Sequence, residues 1–229
     1  MKKVLITGAS GQLGASLQLN DYDVMRTDII KQDDQYNFTI LDITNEKQVK
    51  DLLEEEKPNV IVHLAAMTNV DGCERNPEQA QLINVQGTEN LLNYFDGKFI
   101  FISSDYVFDG ESDQPYIETD IPNPINVYGK TKLAGEKALQ AVMPINAIII
   151  RTSWVYSEYG NNFVKTMLRL GKERDEINIV SNQIGSPTYA TDLAEVILAI
   201  VNNKDYQNKK IFITHAIVFC ALHGAIEAE

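Results

Sequence analysis

The sequence predicts an α/β protein, a Rossmann-type doubly wound parallel sheet followed by a small C-terminal portion. Three observations carry that expectation. Short apolar runs at Lys3–Thr7, Asp23–Thr27, Val60–Leu64, Lys98–Ile102 and Asn146–Ile150 are separated by stretches long enough for crossover helices. Parallel strands need such crossovers, and alternating strand and helix puts helices on both sheet faces. The run Val60-Ile-Val-His-Leu64 is almost uniformly apolar, as expected of a strand buried on both faces. The first run feeds directly into a glycine-rich turn, Gly8-Ala-Ser-Gly11-Gln-Leu-Gly14.

The elements follow in order. Gln12–Asn20 reads as the first helix, and Phe38–Ile43 as a short third strand. Thr44 is positioned to cap a helix whose Val49, Leu52 and Leu53 form one apolar stripe, with Pro58 closing it. Pro77–Phe95 and Tyr128–Val142 read as helices, and the Pro-, Asp- and Gly-rich stretch 109–126 as a long loop of the kind that often carries function. After Trp154 the pattern loosens into a helix at Asn162–Leu170, a strand at Ile177–Val180 and a helix at Thr191–Val201. The expected division is a dinucleotide-binding domain over 1–155 and a substrate-binding portion over 156–229.

A strand, a glycine turn and a helix form the arrangement that holds a dinucleotide pyrophosphate. Gly8, Gly11 and Gly14 allow the tight turn, close approach of the backbone to phosphate, and helix–strand packing. Gln12 and Leu13 belong to the same turn and would offer N–H groups at the helix N-terminus. Asp28 follows the second strand, twenty residues after Gly8, where a carboxylate would take the adenosine ribose hydroxyls of NAD. It would repel a 2′-phosphate, whereas Arg26 and Lys31 are near enough to accept one, so NADH and NADPH both stay open. Ligands of open parallel sheets bind beyond the carboxyl ends of the strands. That edge adds Asp42 and Ile43 after the third strand and Ala65, Ala66 and Met67 after the fourth; the small alanines would let a dinucleotide lie close to the backbone.

Bulk composition narrows the function classes. The net charge of −12 argues against sequence-independent nucleic-acid binding, which needs clustered Lys and Arg. No apolar stretch reaches the roughly 18–20 residues of a membrane helix, and the N-terminus has no signal-peptide pattern. Cys73 and Cys220 are too few for a disulfide framework, which fits a reducing cytoplasm. His63, His215 and His223 lack metal-ligand spacing and read as packing or surface residues, so no metal site is expected.

Three Tyr-x-x-x-Lys pairs occur, Tyr94/Lys98, Tyr128/Lys132 and Tyr206/Lys210, so the spacing alone means little. Context separates them. Lys98 starts a strand, and Tyr206 lies in a polar loop. Only Tyr128 opens a helix after the strand whose end carries Ser104. Tyrosine and lysine four apart share a helix face. The ammonium would stabilise a phenolate and lower the Tyr128 pKa, making the phenol a usable proton donor, with Ser104 bonding the same carbonyl oxygen.

These motifs resemble the extended short-chain dehydrogenase/reductases, and among them most closely the family of dTDP-4-dehydrorhamnose reductases. The matching stretches are Ile6-Thr-Gly-Ala-Ser-Gly-Gln-Leu-Gly14, Leu41-Asp-Ile-Thr-Asn45, Ser103-Ser-Asp-Tyr-Val-Phe-Asp-Gly110 and Tyr128-Gly-Lys-Thr-Lys132. Arg151-Thr-Ser-Trp-Val-Tyr156, Asn161-Asn-Phe-Val-Lys-Thr-Met-Leu-Arg169 and Ile184-Gly-Ser-Pro-Thr188 with Asp192-Leu-Ala194 continue the match to about residue 200. Where the family usually has Thr-Asp-Tyr, this chain has Ser104-Asp105-Tyr106, which keeps the hydroxyl. The resemblance implies an NADPH- or NADH-dependent reduction of the 4-keto group of a dTDP-linked deoxysugar. It implies Ser104, Tyr128 and Lys132 as catalytic residues, and Ser104, Asp105, Trp154 and Asn162 on the substrate. A homodimer is an open assembly.

Two rivals stand beside that reading. A dehydratase or epimerase of the same fold would carry Thr-Asp-Glu at 104–106, and this chain lacks the glutamate. A non-catalytic dinucleotide-binding regulator, such as the regulatory subunit of methionine adenosyltransferase, shares the resemblance but would not need the Ser104, Tyr128 and Lys132 set. The tail carries one further expectation. Relatives continue through a strand reading close to Ile-Tyr-His, and Lys210-Ile-Phe-Ile-Thr-His-Ala216 shifted by two bases can encode Asn-Ile-Tyr-His-Ala. A frameshift near residue 208, an out-of-frame tail over 216–229 and an incomplete substrate lobe with poor sugar-nucleotide affinity are therefore expected.

Overall fold

A computed structural model describes residues 1–31, 37–179, 184–203, 211–214 and 218–219. Strands β1 (Lys3–Thr7), β2 (Asp23–Asp28), β3 (Phe38–Ile40), β4 (Val60–His63), β5 (Lys98–Ser104) and β6 (Ala147–Thr152) form the sheet. Beyond them β7 (Val155–Tyr156) pairs with β9 (Thr188–Tyr189), and β8 (Ile184–Gly185) pairs antiparallel with β11 (Val218–Phe219). Strand β10 (Ile211–Ile213) joins the main sheet, giving seven strands in the order β10-β6-β5-β4-β1-β2-β3. Every neighbouring pair in that sheet is parallel. The direction of winding reverses between β1 and β4, and the crevice above that point is where such sheets bind ligands.

Side chains alternate along each strand, so each strand feeds two cores. On one face Val4, Ile6, Val62, Ile100 and Ile148 pack against α1 (Gln12–Ser16) and against Leu193, Ile197 and Ile200 of α8 (Ala190–Asn202). On the other face Leu5, Ile61, Phe99 and Ile149 meet α2 (Glu46–Glu56), α5 (Gly87–Asn93) and α6 (Val127–Val142). Full burial of each such side chain contributes about 1.5–3 kcal/mol. Among the described residues no helix is long and apolar enough to cross a membrane.

Several boundaries differ from expectation for local reasons. Helix α1 stops at Ser16 rather than Asn20, because the buried Arg26 guanidinium takes its last carbonyls, Nη1 to Gly14 O at 2.7 Å and Nη2 to Leu17 O at 2.6 Å. Asn45, not Thr44, caps α2, its Oδ1 accepting from Gln48 N at 3.1 Å, while the Thr44 hydroxyl donates to Asp42. The helix ends on Lys57 in the left-handed region, φ 44°, its N–H bonded to Leu53 O, and Pro58 next in the chain cannot continue it. Residues 77–93 are helical throughout, as expected, but α4 (Pro77–Gln81) and α5 are joined by a π-helical turn at Leu82–Gln86. An unexpected α3 (Val70–Arg75) precedes them. Residues 177–179 form no strand, and Val180 lies outside the described residues. So do Tyr206, Lys210, His215, Cys220, His223 and most of the tail expected to be out of frame.

Candidate active site

The carboxyl edge of the sheet gathers most of the expected residues. Gly8 turns the chain at φ 68°, and a Cβ there would sit 2.5 Å from Ala65 N, so only glycine fits beneath the loop after β4. Gly11 is the N-cap of α1 and offers no side chain, leaving the first-turn N–H groups without a capping partner. Gly14 packs on Ala9, and Leu13 points into the core, so Leu13 can serve a ligand only through its backbone. Asp28 reaches the glycine turn: Oδ2 accepts from Ser10 N at 3.0 Å and Oδ1 from Ile29 N at 2.7 Å. Ala65, Ala66 and Met67 are half-buried beside Gly8. The remaining pair sits differently. Asp42 spends Oδ1 on the Thr44 amide and hydroxyl, and Ile43 is 5% exposed, packed in the core. Arg26, capping α1, is turned away from any 2′-phosphate.

Strand β5 runs to Ser104 and enters a 3-10 turn at Asp105–Val107. Ser104 Oγ donates to Asp105 Oδ1 at 2.8 Å and accepts from Tyr106 N at 3.2 Å. Helix α6 starts on Asn126, whose Oδ1 accepts from Gly129 N at 2.7 Å. A Cβ on Gly129 would lie 2.0 Å from Tyr106 O; glycine there lets α6 press onto the turn that carries Ser104. Tyr128 thereby meets Tyr106 edge to face, ring centres 5.8 Å apart, with the Ser104 hydroxyl near enough to act on its phenol.

The electrostatics differ from the expected sign. Burial, and after it the Asp105 carboxylate, raise the Tyr128 pKa well above the ordinary phenol value, against the smaller opposing pull of the Ser104 hydroxyl. Lys132 does not lower it. Instead burial brings the Lys132 ammonium down to about 8, against the pull of Glu136. Its Nζ lies 4.2 Å from the Phe101 ring centre and makes no hydrogen bond or ion pair among the described residues. An ammonium 4% exposed with three unused donors is prepared for hydroxyl ligands. His63, bonded to Thr7 Oγ1 at 2.7 Å and Thr88 Oγ1 at 3.1 Å, is driven down to about 3 by burial and by Lys132. It is neutral, and it is a packing residue.

Two groups escaped the sequence reading. Asn84, on the π-helical turn, accepts from Met67 N at 2.7 Å and donates to Met67 O at 3.1 Å and Thr131 Oγ1 at 3.0 Å. It clamps the loop after β4 to the turn of α6 that carries Tyr128. The second is Glu136, buried between Arg151 and Ser103 Oγ. The available signals were polar residues at 84, 88 and 90 inside an expected core helix, and an acid one turn after Lys132.

Trp154 follows β6 with φ 46°, a conformation rare outside glycine and costly unless the surroundings hold it. It is half-buried, stacks obliquely on Phe163 at 5.8 Å, and its indole lies against Gly185. Asn162 is the N-cap of α7 (Phe163–Glu173), accepting from Lys165 N at 3.0 Å, with its amide donated to Gln12 and Ser157 O. Both ends of that side chain are committed, so contact with a diphosphate would require one bond to break.

Known proteins share this arrangement. The model of the RmlD substrate binding domain matches residues 1–219. The chain is 46% identical over 203 residues to dTDP-4-dehydrorhamnose reductase of Aggregatibacter actinomycetemcomitans, covering 87% of this chain and 67% of that protein. It is 43% identical over 203 residues to the enzyme of the same name from Escherichia coli (strain K12), covering 84% and 64%. The chain thus spans about two thirds of the length of these curated relatives. The crystal structure of dTDP-4-dehydrorhamnose reductase from Bacillus anthracis str. Ames, in complex with NADP, matches with a TM-score of 0.85 and 41% identity over 96% of this chain and 77% of that one. A family model matched over residues 1–219, with relatives at 43–46% identity across most of the chain, means that it belongs to the family of RmlD-type dTDP-4-dehydrorhamnose reductases.

Proposed function

We propose that the protein reduces the 4-keto group of dTDP-4-dehydro-L-rhamnose to the alcohol of dTDP-L-rhamnose, with NADPH or NADH as reductant. The observation that carries this reading is a buried Tyr128 near Ser104, one helical turn from an uncommitted Lys132 ammonium, at the same carboxyl edge of the sheet as the glycine turn. The nicotinamide, when bound, supplies hydride. The residues supply the rest. The Gly8–Gly14 backbone suits the pyrophosphate, Asp28 the adenosine ribose, Ala65–Met67 a closely lying dinucleotide, and Lys132 Nζ the nicotinamide ribose hydroxyls. Ser104 orients the ketone oxygen, and Tyr128 gives its proton to the forming alkoxide. A raised pKa keeps that phenol protonated across neutral pH, which suits a donor.

Trp154 offers an aromatic face to the sugar, with 153–162 and α7 on the substrate side. The names of the relatives support the substrate class. A cytoplasmic location is part of the reading, supported by the presence of only two cysteines.

Purified protein incubated with dTDP-4-dehydro-L-rhamnose and each cofactor in turn should oxidise the nicotinamide and form dTDP-L-rhamnose. Cofactor binding with no oxidation of either form would favour the non-catalytic regulator.

Asp28→Ala should weaken NADH more than NADPH, since it removes a ribose bond while relieving repulsion of a 2′-phosphate. A change of about 1–2 kcal/mol in the affinity ratio is expected, and titrating both cofactors against both proteins measures it. Lys132 is charged below about pH 8 and neutral above. NADH affinity should therefore fall about ten-fold between pH 7 and 9.5, the worth of a hydrogen bond from a charged donor. Lys132→Met should flatten that profile, and a flat profile in the unmodified protein would take Lys132 out of the site.

A further inference from the structure

Gln12 opens α1 directly behind the glycine turn, yet its side chain reaches away from it. Oε1 accepts from Asn162 Nδ2 at 2.9 Å and from Ser157 Oγ at 3.3 Å, and Nε2 donates to Val155 O at 3.5 Å. The stem packs where Gly160, at φ 58°, has no side chain; a Cβ there would come within 3.1 Å of Gln12 Cγ. One side chain of the first βα unit thus bonds three points of the segment that follows β6, which β7 also ties to β9. Among the described residues, the N-terminal half of α7 is otherwise fixed by Lys165 Nζ on Glu158 O and Gly160 O and by Phe163 against Trp154. Of its residues only Leu170 is buried, while Phe163, Val164 and Leu168 are exposed. The position of α7 rests on its N-terminal anchorage, and Asn162 both caps that end and bonds Gln12.

We propose that Gln12 is a positioning residue that couples occupancy of the glycine turn to the placement of α7 and Trp154. This inference rests on the dinucleotide reading of that turn. A diphosphate bound to the first N–H groups of α1 fixes the backbone of Gln12, and the amide network carries that restraint to 155–162. The two-state element is α7, anchored or detached at its N-terminus. Coupling of this kind is reciprocal, so the sugar nucleotide and the dinucleotide each tighten binding of the other.

Hydrogen exchange of the 155–165 amides, with and without saturating NADPH, tests this in the unmodified protein, in Gln12→Ala and in Asn162→Ser. Serine keeps a good N-cap for α7 but cannot reach Gln12, so loss of the link is separated from loss of the cap. Fluorescence titration establishes that NADPH is bound in every sample compared. NADPH should slow exchange in the unmodified protein by about five-fold or more, the low end of typical coupling, and by less than about two-fold in both variants. Undiminished slowing in either variant, or none in the unmodified protein with NADPH bound, overturns the proposal. Failure of the unmodified protein to bind NADPH overturns the dinucleotide reading itself, and the inference with it.

Discussion

Tyr128→Phe should lower turnover roughly 10²–10⁴-fold, the usual contribution of a positioned acid, while leaving NADPH affinity nearly unchanged. The substitution isolates one O–H group. Phenylalanine keeps the buried ring and its edge-to-face contact with Tyr106. Ser104 keeps Asp105 Oδ1 and Tyr106 N, so its hydroxyl should stay in position. The backbone oxygen of Tyr128 still accepts from Thr131, and Asn126 still caps α6. Lys132 makes no bond to Tyr128 that the change could break. The loss should therefore fall on kcat, with the unfolding free energy altered by less than about 1 kcal/mol, as for a removed hydrogen bond with satisfied neighbours. Tyr106→Phe is the matched control, since Tyr106 brings a second phenol to the same turn. Turnover within about three-fold of the unmodified protein would exclude Tyr128 as the acid, and a large loss in Tyr106→Phe would point to the neighbour.

The parts of the fold legible in the sequence are those set by short-range patterns. Continuous apolar runs mark strands buried on both faces, and glycines mark the turn where φ must be positive, as at Gly8. Handed crossovers then put helices on both faces of a parallel sheet. What stayed hidden depends on partners far along the chain. Arg26 reads as a phosphate ligand in a sequence, but its guanidinium is spent on α1 carbonyls nine and twelve residues earlier. The extra residue of the π-helical turn leaves the apolar pattern of 77–95 nearly intact, so periodicity could not reveal Asn84 turned inward onto Met67 and Thr131. The spacing of Tyr128 and Lys132 is a local fact, whereas their proton affinities are set by burial and by Asp105 and Glu136. A four-residue spacing can put two groups on one face; it cannot say how much water reaches them.

Glu136→Ala should destabilise the protein by about 3–5 kcal/mol, the cost of leaving a buried charge without its partner. Glu136 and Arg151 are 1% and 3% exposed. The carboxylate takes Arg151 Nη2 at 2.7 Å and Nε at 3.0 Å, and Ser103 Oγ at 2.5 Å. Among the described residues Arg151 has no second acid: Nη1 has no hydrogen-bond partner, and the guanidinium otherwise has only the Phe108 ring, 5.0 Å from its centre. Alanine would strand that cation in a buried site. Replacing both ends with methionine removes the stranded charge together with its partner, so the double variant should lie within about 2 kcal/mol of the unmodified protein and above Glu136→Ala. Urea unfolding with unchanged m-values measures the difference. A single variant within about 1 kcal/mol of the unmodified protein would mean that water reaches the pair. Glu136→Gln separates charge from packing. The amide can still accept from Ser103 and Arg151, but it no longer supports the proton on Lys132, which Glu136 holds up against burial. The loss of NADH affinity with rising pH should then begin below pH 8 rather than near it, even where the folded population is unchanged.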